Sequence, residues 1–202
     1  MPETISFKVY SFEELSPDSQ EKVLQECRDS YEIDCDFITE MFKVDLENEW
    51  GFTGLDNIFW RLSYCQGDGV AFYGKNINLF PIREKDETIN DLLSQIESLD
   101  PEIDICLNIN KSSANSHYDH YNTMIVSIED DFRPISFEGD EIYSLLNKLQ
   151  QEIQEKVKEI SKSLEQTGYS DIESQTSNES MINFIISNEF KFTKDGSRKI
   201  II

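Results

Sequence analysis

Histidine is scarce and basic side chains are few beside the acidic ones: two His in 202 residues, and 18 Lys and Arg against 40 Asp and Glu. The shortage of cations argues against direct nucleic-acid binding, because proteins hold phosphate backbones by neutralising them with Lys and Arg. Four cysteines (Cys27, Cys35, Cys65, Cys106) lie far apart and never in C-x-x-C spacing. That pattern is neither a disulfide framework nor a four-sulfur zinc site, and it suits reduced thiols in the cytoplasm. With 8 Gly and 5 Pro, the chain has no G-x-G-x-x-G or G-x-x-x-x-G-K-[ST] phosphate loop. No apolar run approaches the ~20 residues of a membrane helix, and no basic, apolar leader opens the chain. A cytoplasmic protein without a membrane segment is the expectation.

Aromatic residues are plentiful: 13 Phe, 8 Tyr and 2 Trp, within 38% hydrophobic residues overall. A chain of this size and content can bury a core despite a formal charge of −22. The charge is uneven. Residues 1–60 carry 15 acids and 4 bases, and residues 84–104 carry 8 acids and only Lys85. Residues 61–83, by contrast, carry Arg61, Lys75 and Arg83 against Asp68. Self-repulsion of this size favours solubility at the expense of stability, and an acidic surface attracts basic partners.

Periodicity supplies the elements. Ile5 to Tyr10 alternates as a strand does. Ser16-Pro17 reads as an N-cap and first helical residue, opening a helix to about Ser30 that buries Leu15, Val23, Leu24 and Cys27. Ile33, Phe37, Met41 and Val44 predict a second helix, with Phe42 and Leu46 widening its stripe. Its outer face would carry Asp34, Asp36, Glu40, Asp45, Glu47 and Glu49. Ile58 to Cys65 and Val70 to Tyr73 are β-prone and aromatic, joined by Gln66-Gly67-Asp68-Gly69, a hairpin turn whose glycines permit positive φ. Thr88 to Leu99 predicts a short helix. Ile103, Ile105, Leu107 and Ile109 form an alternating strand, and Met124 to Ile128 its antiparallel neighbour. The connection Lys111–Thr123 is long, as functional loops often are.

From Gly139 the apolar spacing predicts a long helix ending at Gly168, with a Glu152–Lys156 pair on its outer face. Tyr169 to Ser180 reads as a polar linker. Met181 to Ile186 predicts another helix, and the stretches around Asp195-Gly196 a last hairpin. The fold class is α+β: an antiparallel sheet of four to six strands, helices on one face and a long helix near the C-terminal third. The expected domain covers 1–168, with a linker over 169–180 and a helix and hairpin over 181–202 packed on the same domain.

Few constellations carry chemistry. His117, Asp119 and His120 share one loop, and imidazole with carboxylate can begin a metal site. No third histidine completes one, and residues three apart in an extended segment face opposite ways, so a polar, aromatic contact loop is the favoured reading. Cys65 has no local feature that would activate a thiolate. Gly67-x-Gly69 follows a strand without opening a helix, and Asp68 would repel phosphate. Trp60, Tyr64, Phe72 and Tyr73 beside Arg61 and Lys75 could stack bases, but strand aromatics more commonly fill the core.

Four stretches together resemble a family of small acidic proteins from bacteriophages, plasmids and prophages. The first is Lys8-Val9-Tyr10-Ser11-Phe12-Glu13-Glu14-Leu15-Ser16 with Gln20-Glu21-Lys22-Val23, similar to that family's Tyr-x-Phe-x-Glu-Leu-Ser opening. The second, Ser63-Tyr64-Cys65-Gln66-Gly67-Asp68-Gly69-Val70-Ala71-Phe72-Tyr73-Gly74, looks like its glycine-turn hairpin. Tyr118-x-His120-x-x-Thr123-Met124 resembles its aromatic stretch before a strand. Asn188-Glu189-Phe190-Lys191-Phe192-Thr193-x-Asp195-Gly196 resembles its ending. The resemblance implies a mobile-element protein, sometimes labelled antitoxin-like, with no enzymatic activity, cofactor or metal site to carry over.

Charge and resemblance together lead to the expectation of an acidic interaction protein. It would bind and inhibit a basic host protein or protein–nucleic acid complex, such as a CRISPR or restriction effector, with carboxylates standing in for phosphates. The expected partner-binding carboxylates are Asp34, Asp36, Glu40, Asp45, Glu47, Glu49, Glu84, Asp86, Glu87 and Asp91. Gln66, Gly67, Asp68 and Gly69, with His117, Tyr118, His120 and Tyr121, would supply contacts at close range. The alternatives are a metal-assisted hydrolase centred on the His117–His120 loop and an antitoxin neutralising a basic toxin. No cofactor is expected.

Overall fold

A computed structural model gives the fold over residues 8–112, 118–130, 141–197 and 199–200. After a single 3-10 turn (Phe12–Glu14) come α1 (Pro17–Ser30), α2 (Cys35–Asn48), β1 (Asn57–Arg61), β2 (Gly69–Ile77), α3 (Leu79–Arg83) and α4 (Glu87–Leu99). Then follow β3 (Ile105–Lys111), β4 (Met124–Asp130), α5 (Glu141–Gln175), α6 (Asn178–Ser187), β5 (Lys191–Phe192) and β6 (Lys199–Ile200). The class is α+β, with a four-stranded antiparallel sheet in the order β1-β2-β3-β4 and the long helix in the last third. No helix among the described residues is long and apolar enough to cross a membrane.

The chain divides into two compact units, Cys35–Tyr169 and Met1–Asp34 with Ser170–Ile202. The sequence leads to the expectation of a single domain over 1–168 with residues 181–202 packed on it. The larger unit holds the sheet. Residues opposite one another in the ladders share a face, which puts Val70, Phe72, Leu107, Ile109, Met124 and Val126 together, all buried. Helix α2 packs there: the Trp60 indole donates to Thr39 Oγ1 at 2.9 Å and meets the Phe42 ring edge-on. From α5, the buried Ser161 hydroxyl donates to the Val70 carbonyl. Gly168 lets that helix come close, since a Cβ there would stand 2.4 Å from Leu62 Cδ1 and 2.7 Å from Phe42 Cζ. The opposite sheet face leaves Phe59 and Ile125 each 47% exposed.

Helix α5 also closes one edge of the sheet. Gln154 Oε1 accepts from Val126 N–H at 2.9 Å while its amide donates to the Met124 carbonyl at 3.2 Å, and Gln150 Oε1 accepts from Ile128 N–H at 3.3 Å. One helical turn separates the two glutamines, so they match alternate residues of β4 and occupy backbone groups that an edge strand otherwise presents.

The smaller unit joins the two ends of the chain. Phe12, Leu15, Val23, Leu24, Met181, Ile185 and Phe192 form its core. Tyr10 and Phe192 exchange two backbone bonds of 2.9 Å; of the strand expected over 5–10, residues 5–7 lie outside the described residues. Arg28 ties α1 to the start of α6 through the Thr176 carbonyl and the Asn178 side chain.

Three expectations are corrected. Helix α2 buries Ile38, Phe42 and Leu46, whereas Phe37 and Val44 of the expected stripe are exposed; two apolar stripes overlap, and the one that meets Trp60 wins. The helix predicted to stop at Gly168 runs on to Gln175, because that glycine serves close packing rather than a C-cap. The expected linker 169–180 is therefore helical to Gln175, and Ser177 caps α6 by accepting from Ser180 N–H at 3.2 Å. Polar residues there cover a helix surface.

Candidate functional site

The acidic residues fall into two populations. Along α2, Asp36, Glu40 and Glu47 lie four and seven residues apart, hence on one face, and all are exposed. Neither they nor Glu49, Glu84, Glu87 and Asp91 form an ion pair among the described residues. Asp45 is half-buried on the core-facing side of α2, and Asp34 is exposed in the smaller unit. Asp86 is structural. It caps α4, accepting from Thr88 N–H at 3.0 Å and Ile89 N–H at 3.1 Å, and pairs with Lys156 Nζ at 3.2 Å.

Lys156 joins the two acidic segments. Its ammonium lies 5.0 Å from the centre of the Trp50 ring, just past α2, while bonding Asp86 at the head of α4 and Glu159 at 3.6 Å. The expected Glu152–Lys156 pair is not formed, since Asp86 and Glu159 take the ammonium. One cation thus brings Trp50, past the end of α2, and Asp86, at the start of α4, to one place. Exposed Glu47, Glu49, Glu84 and Glu87 flank these two points in the sequence, with Lys43 and Lys85 as the exposed cations among them.

The glycine-turn hairpin is built around Asp68. Its carboxylate accepts from Ser63 N–H at 2.6 Å, Cys65 N–H at 2.9 Å, the Ser63 hydroxyl at 3.2 Å and the Tyr169 hydroxyl at 2.6 Å. Burial opposes the charge, but these donors overcome it and bring the carboxyl down to about 2. The Tyr169 phenol is pushed up to about 12, by burial first and then by Asp68. Tyr64, at φ +56°, lays its ring 4.5 Å from that of Tyr169. Gln66 is exposed at the tip.

The turn and the 118–121 loop, read separately in the sequence, are packed together. A Cβ on Gly67 would stand 2.5 Å from the Tyr118 ring, and one on Gly69 2.4 Å from His120 Cβ. His120 lies between Tyr118 and Tyr121, with ring centres 6.3 and 5.5 Å away. Its Nδ1 accepts from Asn122 N–H at 3.0 Å, so Nε2 is the donor of the neutral ring. Lys162 stands 4.5 Å over Tyr121. Burial raises the Glu165 carboxyl, the charge of Asp68 raises it further, and His120 draws it back. The result is an aromatic knob flanked by carboxylates.

Metal chemistry finds no assembled ligand set. His117 lies outside the described residues. The carboxylate of Asp119 accepts from Tyr73 Oη and Lys111 Nζ, each at 2.8 Å, and burial together with Asp119 pushes the Tyr73 phenol up to about 12. No three metal-ligating side chains cluster among the described residues. The aromatics considered for base stacking divide between sites: Phe72 is buried, Trp60 is bonded under α2, Tyr73 holds Asp119 and Tyr64 stacks on Tyr169. Sequence reasoning missed Trp50, Lys156, Lys162, Glu165 and Tyr169. Only the inward-facing Tyr169 had a local signal, its place one residue after Gly168.

Residues 28–180, three quarters of the chain, match the family described as a domain of unknown function, DUF8835, and the chain belongs to that family. No curated protein and no solved structure matches it.

Proposed function

We propose that this member of the DUF8835 family is an acidic interaction protein of mobile-element type. It acts in the host cytoplasm and inhibits a basic nucleic-acid-handling defence machine, such as a CRISPR or restriction effector, by presenting carboxylates where phosphates bind. The observation that carries this reading is the meeting of the two acidic segments at Lys156. Exposed carboxylates without cationic partners project a field that steers a basic channel toward them, and its contribution falls with ionic strength. The turn and aromatic loop, held by Asp68 and the two glycines, serve as the close-range contact.

The test is a pull-down from host lysate with the full chain, washed at low and high salt, followed by an inhibition assay on the captured effector. Glu47, Glu49, Glu84 and Glu87 are then changed together to Gln. All four are exposed and unpaired, so the fold should hold. Inhibition is expected to weaken by tenfold or more, about 1.4 kcal/mol, chiefly through slower association. Undiminished inhibition by the quadruple variant, or binding indifferent to salt, refutes the phosphate-mimic reading. Recovery of a small basic toxin in place of an effector would assign the same surface to an antitoxin.

A further inference from the structure

The two edges of the sheet are treated differently. Gln150 and Gln154 close the β4 edge; the β1 edge has no such cover. Its bonding direction follows from β2. Val70 gives its carbonyl to Ser161, and Phe72 gives its N–H to Met124 Sδ at 3.3 Å, so both direct their backbone groups away from β1. Opposite residues of an antiparallel pair bond either toward each other or both away. Trp60 is opposite Val70 and Ile58 is opposite Phe72. By this rule the N–H and C=O of Ile58 and Trp60 point out of the sheet, away from β2.

We infer that this edge is a self-pairing surface: β1 of one copy adds antiparallel to β1 of a second, across a two-fold axis at Phe59. Only this register engages all the outward groups. Ile58 then faces the second copy's Trp60 and Trp60 its Ile58, giving four backbone bonds. Centring on Ile58 instead would require Asp56, whose N–H is committed to the Tyr73 carbonyl at 2.9 Å. The side chains agree with the register. Ile58 opposite Trp60 is a favourable β-branched–aromatic pair, and the exposed Phe59 meets its own copy at the axis. Charge selects the same place. In a chain of −22, β1 itself carries a single charge, the cation Arg61, so the strand adds no like acidic charge to the seam. The edge also lacks the lysine, proline or inward charge that blocks strand addition elsewhere. A five-residue strand buries little area, which places the dimer in the weak, transient class.

The test is sedimentation equilibrium of the full chain from micromolar to near-millimolar concentration, at low and high salt, with amide exchange read at Ile58 and Trp60. The expected result is a monomer–dimer equilibrium strengthened by salt, opposite in sign to the salt effect on a basic partner. Protection of those two amides should rise with the dimer. Phe59→Lys, which places two ammonium groups together at the axis, should weaken the dimer by about tenfold or more, and by clearly more than Phe59→Ala, which loses the same packing on Tyr73 without adding charge. Ile58→Pro removes an outward donor without touching the β2 ladder, and should act likewise if it folds. A monomer at every concentration, or a dimer indifferent to Phe59→Lys, overturns the inference. Protection of Ile58 and Trp60 that develops only with a different protein bound would overturn it too, and would assign the edge to that protein.

Discussion

Replacing Asp68 by Asn tests the construction of the hairpin turn, and its effect can be worked from the structure. The carboxylate accepts four hydrogen bonds, two from backbone N–H groups and two from hydroxyls. Its pKa falls from 3.8 to about 2 on folding, a difference worth up to about 2.5 kcal/mol at 1.36 kcal/mol per unit. The turn is partly exposed to solvent, and screening reduces this to between about 1 and 2 kcal/mol. The folded pKa is the lower one. The stabilisation is therefore complete above pH 3.8 and is lost as the pH falls toward 2. Asn keeps the shape but loses the charge and turns an amide toward N–H donors. Asp68→Asn should lower the midpoint of thermal unfolding at pH 7 by about 3 to 8 °C. The decisive measurement is the gap between the two proteins at descending pH. It should hold constant down to about pH 5 and close between 4 and 2, as the native carboxyl itself takes up a proton. A gap that persists below pH 2, or no gap at pH 7, would refute the assignment of the turn's stability to this charge.

Two further substitutions probe how α5 meets the sheet. Gly168→Val forces a side chain into Leu62 and Phe42, and overpacking of this kind costs about 1 to 3 kcal/mol, to be read by denaturant unfolding. A surface glycine would tolerate the change. Gln154→Leu strips the bonds to Val126 N–H and the Met124 carbonyl, so stability should fall by about 1 to 2 kcal/mol. Amide exchange at Val126 should accelerate, and light scattering should show slow association through the opened β4 edge. Unchanged exchange at Val126 would mean that the glutamine does not guard that edge.

The elements legible in the sequence are those in which local chemistry and tertiary packing agree. Ser16-Pro17 opens α1 where expected, because the serine oxygen takes the Ser19 N–H whatever lies beyond. The alternation of Ile105 to Ile109 predicts β3 because Leu107 and Ile109 share the buried core face, while Asn108 on the other face is buried only by accepting from Asn76 N–H at 3.0 Å. Misreadings arise where a distant contact decides. Gly168 ends a helix by local rules, and only the Leu62 methyl and the Phe42 ring explain its place in mid-helix. The site divides in the same way. The turn and the His120 loop were both visible as motifs, but their packing on each other depends on a sheet register that no local pattern encodes. Lys156 looked like half of a helical pair with Glu152, and its real partners come from two other segments.

The same distinction bears on what an acidic chain is for. A carboxylate that caps a helix, closes a turn or pairs with an ammonium inside its own loop is explained by the fold: Asp86, Asp68 and Asp119 all belong to this group. Mutating them tests folding, and a loss of partner binding there would carry no information about recognition. Asp36, Glu40, Glu47, Glu49, Glu84, Glu87 and Asp91 have no such explanation, and their mutual repulsion works against the compact state. Solubility alone would be served by charges dispersed over the whole surface. Lys156 instead draws two acidic segments to one place, while spending its own charge on Asp86 and Glu159. Repulsion among exposed carboxylates costs stability, and a basic partner would offset it. That is the physical reason to test these seven exposed residues, and not the three engaged by the fold, for function.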